Sequence, residues 1–95
     1  MEISEIAMEE MCRIAMGEKL NPNDFRIRID PIIPYISYEV QFDYIPTDQH
    51  RRFELRPFYE AGAISEYMIT RQICEQLKIF MEQIKPREEW PNDQN

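Results

Sequence analysis

Ile36-Ser37-Tyr38-Glu39-Val40-Gln41-Phe42-Asp43-Tyr44 alternates apolar and polar residues without a break. Successive side chains of a strand point to opposite faces, so Ile36, Tyr38, Val40, Phe42 and Tyr44 share one side, and Ser37, Glu39, Gln41 and Asp43 share the other. One apolar and one polar face specify a half-buried strand of an antiparallel sheet. The strand is expected over 35–45 and forms the centre of the fold.

The segments on either side repeat the pattern. Phe25-Arg26-Ile27-Arg28-Ile29 alternates in the same way. Pro31 and Pro34 then interrupt the ladder, which predicts a loop or an edge bend over 30–34. Pro46-Thr47-Asp48-Gln49 has turn chemistry. Beyond it Phe53 and Leu55 face inward, Arg52, Glu54 and Arg56 face outward, and Pro57 ends the run. Short connections between three such strands make an antiparallel meander the economical topology.

Helical spacing brackets this region. In residues 3–16, Ile3, Ala7, Met8, Met11, Ile14 and Ala15 fall on one side, with Glu2, Glu5, Glu9 and Arg13 on the other; Ser4 is the expected N-cap and Gly17 the expected stop. Glu60-Ala61-Gly62-Ala63 reads as a loop or the approach to a helix. From Ser65, a second N-cap, to about Ile84, the stripe Ile69, Ile73, Leu77, Phe80 and Ile84 is flanked by Cys74 and Met81. Arg71, Glu75, Lys78 and Glu82 line the opposite face. Lys85-Pro86 is the expected end of that helix. Three strands and two helices, each with one apolar side, predict an α+β fold of order α-β-β-β-α: a three-stranded antiparallel meander with both helices packed on one face. The domain is expected over 1–86, followed by a polar tail, 87–95, that carries Trp90.

The chain has 95 residues and a formal net charge of −7. Residues 25–58 hold five acids and five bases, whereas 1–24 hold six acids against two bases and 59–95 seven against four. Acidic flanks without clustered Lys or Arg argue against direct nucleic-acid binding and suit a protein partner with a basic surface. The N-terminus lacks the basic and apolar regions of a secretory signal, and no stretch is long and apolar enough for a membrane span. A cytoplasmic location is therefore expected, with Cys12 and Cys74 as free thiols.

No catalytic constellation emerges. His50, the only histidine, sits in the predicted β-turn beside Arg51, and Gly17 and Gly62 are the only glycines, so no glycine-rich phosphate loop exists. Asp43, Asp48 and Glu54 match no metal-loop spacing. Neither enzymatic activity, metal nor cofactor is expected. The candidate contact residues are therefore surface groups. Glu2, Glu5, Glu9 and Glu10 form an acidic stripe on the first helix, a row that can imitate successive phosphates. Glu39 and Asp43 lie on the polar sheet face. Trp90 is a possible aromatic anchor for a partner. Tyr35, Tyr59, Tyr67, Met16 and Met68 fit neither apolar stripe.

The order of elements over 3–84 resembles that of the double-stranded RNA-binding domain. That family opens its second helix with a lysine cluster; the matching stretch, Ala61 to Met68, contains no base. Element order, small size and acidity also look like some phage-encoded inhibitors of CRISPR effectors. The expectation is thus a small acidic protein-binding module, such as an inhibitor or nucleic-acid mimic acting on a nucleic-acid-handling protein. The alternative is a structural or assembly subunit, including a homodimer, with the first strand as an open edge.

Overall fold

The structure, a computed structural model, describes residues 2–57 and 59–93, with the backbone alone at Glu60 and over 85–93. Helix α1 spans Ile3–Gly17 and is followed by strands β1 (Phe25–Ile33), β2 (Ser37–Tyr44) and β3 (Gln49–Leu55). A short hairpin, β4 (Tyr59–Glu60) and β5 (Ala63–Ile64), leads into helix α2, Glu66–Asp93. The α-β-β-β-α order expected from patterning is the order observed, and the β4–β5 hairpin is an addition that patterning missed. Ala61 and Gly62 both take positive φ, 52° and 81°, as a two-residue hairpin turn requires. Among the described residues no helix is long and apolar enough to cross a membrane.

The sheet has the order β1-β2-β3 and is antiparallel throughout. Its register stacks residues in cross-strand rows. On one face these are Phe25–Tyr44–Gln49, Ile27–Phe42–Arg51, Ile29–Val40–Phe53 and Pro31–Tyr38–Leu55. This face and the stripes of both helices merge into a single core, in which Val40, Phe42, Leu55, Ile69, Ile73, Leu77, Phe80 and Ile84 are fully buried. The two helices pack on each other above it, α1 over β1 and α2 over β2 and β3. All five apolar sides are thus satisfied at once.

Five local expectations need correction. The N-cap of α1 is Glu2 and not Ser4: the Glu2 carbonyl accepts from Glu5 and Ile6, and the Glu5 carboxylate accepts the Glu2 N–H at 3.3 Å. The earlier start brings Ile3 into the buried stripe. Met8 is 50% exposed, and Ile6 takes its place in the core. β1 does not end at Pro31 but runs to Ile33 with a register shift between the two, a tolerable irregularity because β1 is an edge strand. Ile36 is exposed because it belongs to the turn, where its N–H donates to Ile33 across Pro34 and Tyr35. α2 passes the expected stop at Pro86 and runs to Asp93. A proline removes one N–H, and the good helix formers Arg87, Glu88 and Glu89 follow it.

The C-terminus of α1 also differs in detail. The helix ends in a Schellman cap: Leu20 N–H donates to Ala15 C=O at 2.8 Å and Lys19 N–H to Met16 C=O at 3.1 Å. Glycine usually fills the left-handed position of this motif, but here Lys19 occupies it with φ 61°. Gly17 lies two residues earlier, inside the helix, where an added Cβ would meet nothing within 4 Å. Moving the glycine with the pair G17A and K19G should stabilise the fold by about 1 kcal/mol. Urea unfolding should show a higher midpoint with an unchanged slope; a lower midpoint would contradict this account of the cap.

Candidate functional site

The first candidate surface is the outer side of α1. Glu2, Glu5 and Glu9 are exposed along it, as the helical spacing requires. Glu10 does not join them. Its Oε1 and Oε2 accept from Arg13 Nη2 at 2.6 Å and Nε at 3.3 Å, and its side chain keeps only 14% of its exposure. Arg13 Nη2 also donates to Cys74 Sγ on α2 at 3.8 Å. Glu10 therefore braces the helix–helix contact and presents less of its carboxylate than its neighbours do. It lines a cleft of about 310 Å³ between the helices with Tyr67, Thr70, Cys74 and Lys78. Both cysteines are free and half-buried.

The second surface is the polar face of the sheet, where the register sets three rows: Arg26–Asp43–His50, Arg28–Gln41–Arg52 and Asp30–Glu39–Glu54. The first two are tied together by hydrogen bonds. Arg52 Nε donates to Gln41 Oε1 at 2.7 Å, Gln41 Nε2 to Asp43 Oδ1 at 2.7 Å, and His50 Nδ1 lies 2.6 Å from the same Asp43 oxygen. Burial alone would raise the Asp43 carboxyl. Hydrogen bonds from Gln41 and His50, with the charges of His50 and Arg28, outweigh burial and hold it below the usual carboxylate range. Asp43 is thus spent within the fold. Glu39 stands exposed, with Asp30 and Glu54 on either side, and among the described residues Glu54 is ion-paired, to Arg56 Nε at 2.8 Å.

Asp43 and His50 also line a shallow cleft of about 210 Å³ with Arg26 and Asp48. The second His50 nitrogen, Nε2, lies 3.3 Å from Asp48. Both ring nitrogens face carboxylates, and no serine, threonine or cysteine lines the cleft. A histidine between two acids with no nucleophile beside it lacks the geometry of acyl transfer. Among the described residues no group of three His, Cys, Asp or Glu side chains could hold a metal ion.

The third surface was not assembled by sequence reasoning. The β1–β2 turn leaves Ile32, Ile33, Tyr35 and Ile36 at 52%, 50%, 75% and 60% exposure. Tyr35 adopts φ 65°, a left-handed conformation that a bulky side chain rarely takes. Beside the turn is a cleft of about 450 Å³ lined by Tyr35, Tyr38, Ile29 and Ile64, with Glu2 and Ser4 at the start of α1. Tyr59 of β4 joins this group. Its phenol sits above its ordinary range, because desolvation and then the neighbouring Tyr38 and Tyr35 disfavour the phenolate. The signal in the sequence was Pro31-Ile32-Ile33-Pro34-Tyr35-Ile36, an apolar run too interrupted by proline to be a buried strand. The Trp90 side chain lies outside the described residues.

The fold and its surfaces define a small α+β domain with a polar sheet face and an apolar end. Comparison with protein-family models, with curated proteins and with solved structures finds no match.

The Asp43 network carries a pH signature. A folded-state pKa below the unfolded value of about 3.9 contributes stability that is present above that pH and lost as pH falls through the folded value. Between pH 5 and pH 2, the stability gap between wild type and D43N should therefore narrow toward zero. Urea midpoints measured across that range test this, and a gap that stays constant would refute the depressed carboxyl.

Proposed function

We propose that this chain is a non-enzymatic protein-binding module that docks through its apolar end, with acidic side chains around it selecting a partner with a basic rim. The observation that supports it best is Tyr35. Its left-handed backbone costs on the order of 1 kcal/mol or more, and its ring stays 75% exposed. A glycine would relieve the strain and expose less apolar surface, so folding alone gives no reason for a tyrosine there. Ile32, Ile33 and Ile36 surround it with further exposed apolar area, the composition of a binding centre and not of a solvated turn. Glu2 borders the adjoining cleft, and the acid row Asp30–Glu39–Glu54 is the charged sheet row nearest the turn. An apolar anchor inside an acidic margin matches a basic protein surface with an apolar pocket. We place the protein in the cytoplasm on the same reading, since its two thiols stand unpaired.

A narrower reading is the inhibitor or nucleic-acid mimic that occupies a basic groove with the outer face of α1. It is favoured by Glu2, Glu5 and Glu9 remaining exposed on one side of that helix. Salt separates the two readings. Binding carried by three carboxylates should weaken steeply as ionic strength rises, whereas apolar anchoring should survive.

Tyr35→Gly tests the main reading against both fold and function. The variant should unfold at a urea midpoint equal to or above that of wild type, because the strain is removed. Against a partner captured from native extract, identified and purified, its affinity should fall by roughly tenfold to a hundredfold, as loss of an aromatic anchor does. Titration calorimetry at low and high salt supplies the measurement. Unchanged affinity in Y35G, or binding abolished by salt while Y35G binds normally, would move the contact to the α1 face.

A further inference from the structure

The two edges of the sheet are finished differently. Along β3, side chains of α2 occupy the outer backbone groups: Gln83 Nε2 donates to His50 C=O at 3.4 Å, and Gln72 accepts the Arg56 N–H at 3.1 Å while donating to its C=O at 2.9 Å. Along β1, no side chain or backbone group among the described residues reaches the outer edge. An uncovered strand of this length is a template for another strand unless something blocks it.

The direction of the free groups follows from the register. His50 points its carbonyl out to α2, so the His50–Asp43 pair does not exchange hydrogen bonds, and Asp43 turns its backbone groups toward β1. Its partner there, Arg26, therefore bonds inward, and Phe25, Ile27, Ile29 and Pro31 present their backbone outward. Pro31 falls on the side where its missing N–H breaks no bond within the sheet.

The charges on this edge are self-complementary in one register. We infer that β1 is the docking edge for a second copy of this chain, paired antiparallel about Ile29 so that the two sheets become one. This register places Arg28 of each copy opposite Asp30 of the other. It runs the acid row Asp30–Glu39–Glu54 of one copy into the Arg28–Gln41–Arg52 row of its partner. Within a single copy Asp30 stands beside Glu39, and the second copy sets Arg28 against Asp30 on its other side. Adjacent registers fail. Pairing about Arg28 matches Arg26 with Asp30 but sets Arg28 against Arg28 at its centre, pairing about Ile27 sets Arg26 against Arg28, and pairing about Asp30 sets Asp30 against Asp30.

The helix-side face fits the same register. Ile29 meets Ile29 and Ile27 meets Pro31, which covers two isoleucines that are only half-buried in one copy. Met8 is 50% exposed on α1, the helix that packs over β1, one turn beyond Ser4, which shares a cleft with Ile29. Across the joint, Ile29 exchanges both backbone bonds with its counterpart, and each Ile27 N–H donates to a Pro31 carbonyl. A two-fold axis through Ile29 repeats every contact, as a closed dimer requires. Antiparallel pairing sends the two apolar ends in opposite directions, so the dimer is bivalent.

Sedimentation equilibrium of the full chain from micromolar to millimolar concentration tests the inference, with R28E, D30R and the double variant R28E/D30R beside wild type. Wild type should dimerise. Each single reversal places like charges across the joint twice and should weaken the dimer tenfold or more, and the double variant should restore it. Circular dichroism and urea midpoints establish that each variant is folded. Should a reversal prevent folding, Met8→Lys at the exposed helix position should weaken the dimer with the sheet intact, and backbone amide exchange at Ile27 and Ile29 should slow as wild-type concentration rises. A wild type that stays monomeric at millimolar concentration, or a double variant no tighter than the singles, overturns the inference and leaves the edge to a foreign strand or to none.

Discussion

Phe80 is the contact through which helix and sheet hold together. Its ring centroid lies 6.3 Å from Phe25 on β1, edge to face, and 6.0 Å from Phe42 on β2. Phe42 in turn meets Phe53 on the third strand at 5.3 Å, and Phe25 meets Tyr44 at 4.9 Å. One helical side chain thus reaches the aromatic layer that spans all three strands. Burying such a ring stabilises by about 1.5–3 kcal/mol, and each well-oriented pair adds about 0.5–1.5 kcal/mol. Both helices lie on this one face of the three-stranded sheet, so this is where the chain builds its core. Every other surface follows from that one-sided commitment.

The consequence on the far side is a sheet face that must balance its own charges in water. It does so unevenly. Toward the β2–β3 turn, Gln41 links Arg52 to Asp43 and leaves both neutralised within the fold. Toward the β1–β2 turn, Asp30, Glu39 and Glu54 stand side by side. The same end of the molecule carries the exposed isoleucines, Tyr35 and the first glutamate of α1. The apolar end thus has an acidic margin, while the cleft at His50 holds Asp43 and Asp48 and the cleft at Cys74 holds Glu10 and Glu75.

What the sequence revealed follows the same division. Where a residue's fate depends on periodicity, the reading held for the α2 stripe Ile69, Ile73, Leu77, Phe80 and Ile84, which is buried throughout, and for Val40, Phe42 and Tyr44 of the central strand; Ile36, expected inside, is exposed, and Ser37 and Gln41, expected in water, are buried. Where it depends on which side chains meet once the chain is folded, spacing alone does not decide it. Glu10 belongs to the acidic side of α1 by spacing alone, yet Arg13 draws it toward α2. Asp43 alternates outward correctly, yet its acceptor sites are filled by Gln41 and His50. Positive φ values were also invisible, because Lys19, Tyr35 and Ala61 sit where glycine would be expected. The β4–β5 hairpin hid behind this, its turn carrying alanine where Asn-Gly or Asp-Gly would have announced it. The apolar end escaped notice for a related reason: Pro31 and Pro34 marked it as a break between strands, and a break was not examined as a surface.

The positions that defy local preference are not equivalent. Asp48 tolerates the left-handed region through its short polar side chain. Lys19 is held by two cap hydrogen bonds and by Leu20, its neighbour, packing into the core. Ala61 is small and closes a tight hairpin. Tyr35 has none of these compensations in full: its turn is closed by the bond from Ile36 to Ile33 beside the Ile33–Ser37 pair, and its ring gains little burial. A fold optimised for its own stability would resolve strain and exposure with the same substitution. One residue imposes both penalties, and its neighbours Ile32, Ile33 and Ile36 add to the second. Under the proposed function a partner supplies the compensation at the β1–β2 turn, where sequence periodicity stops being informative.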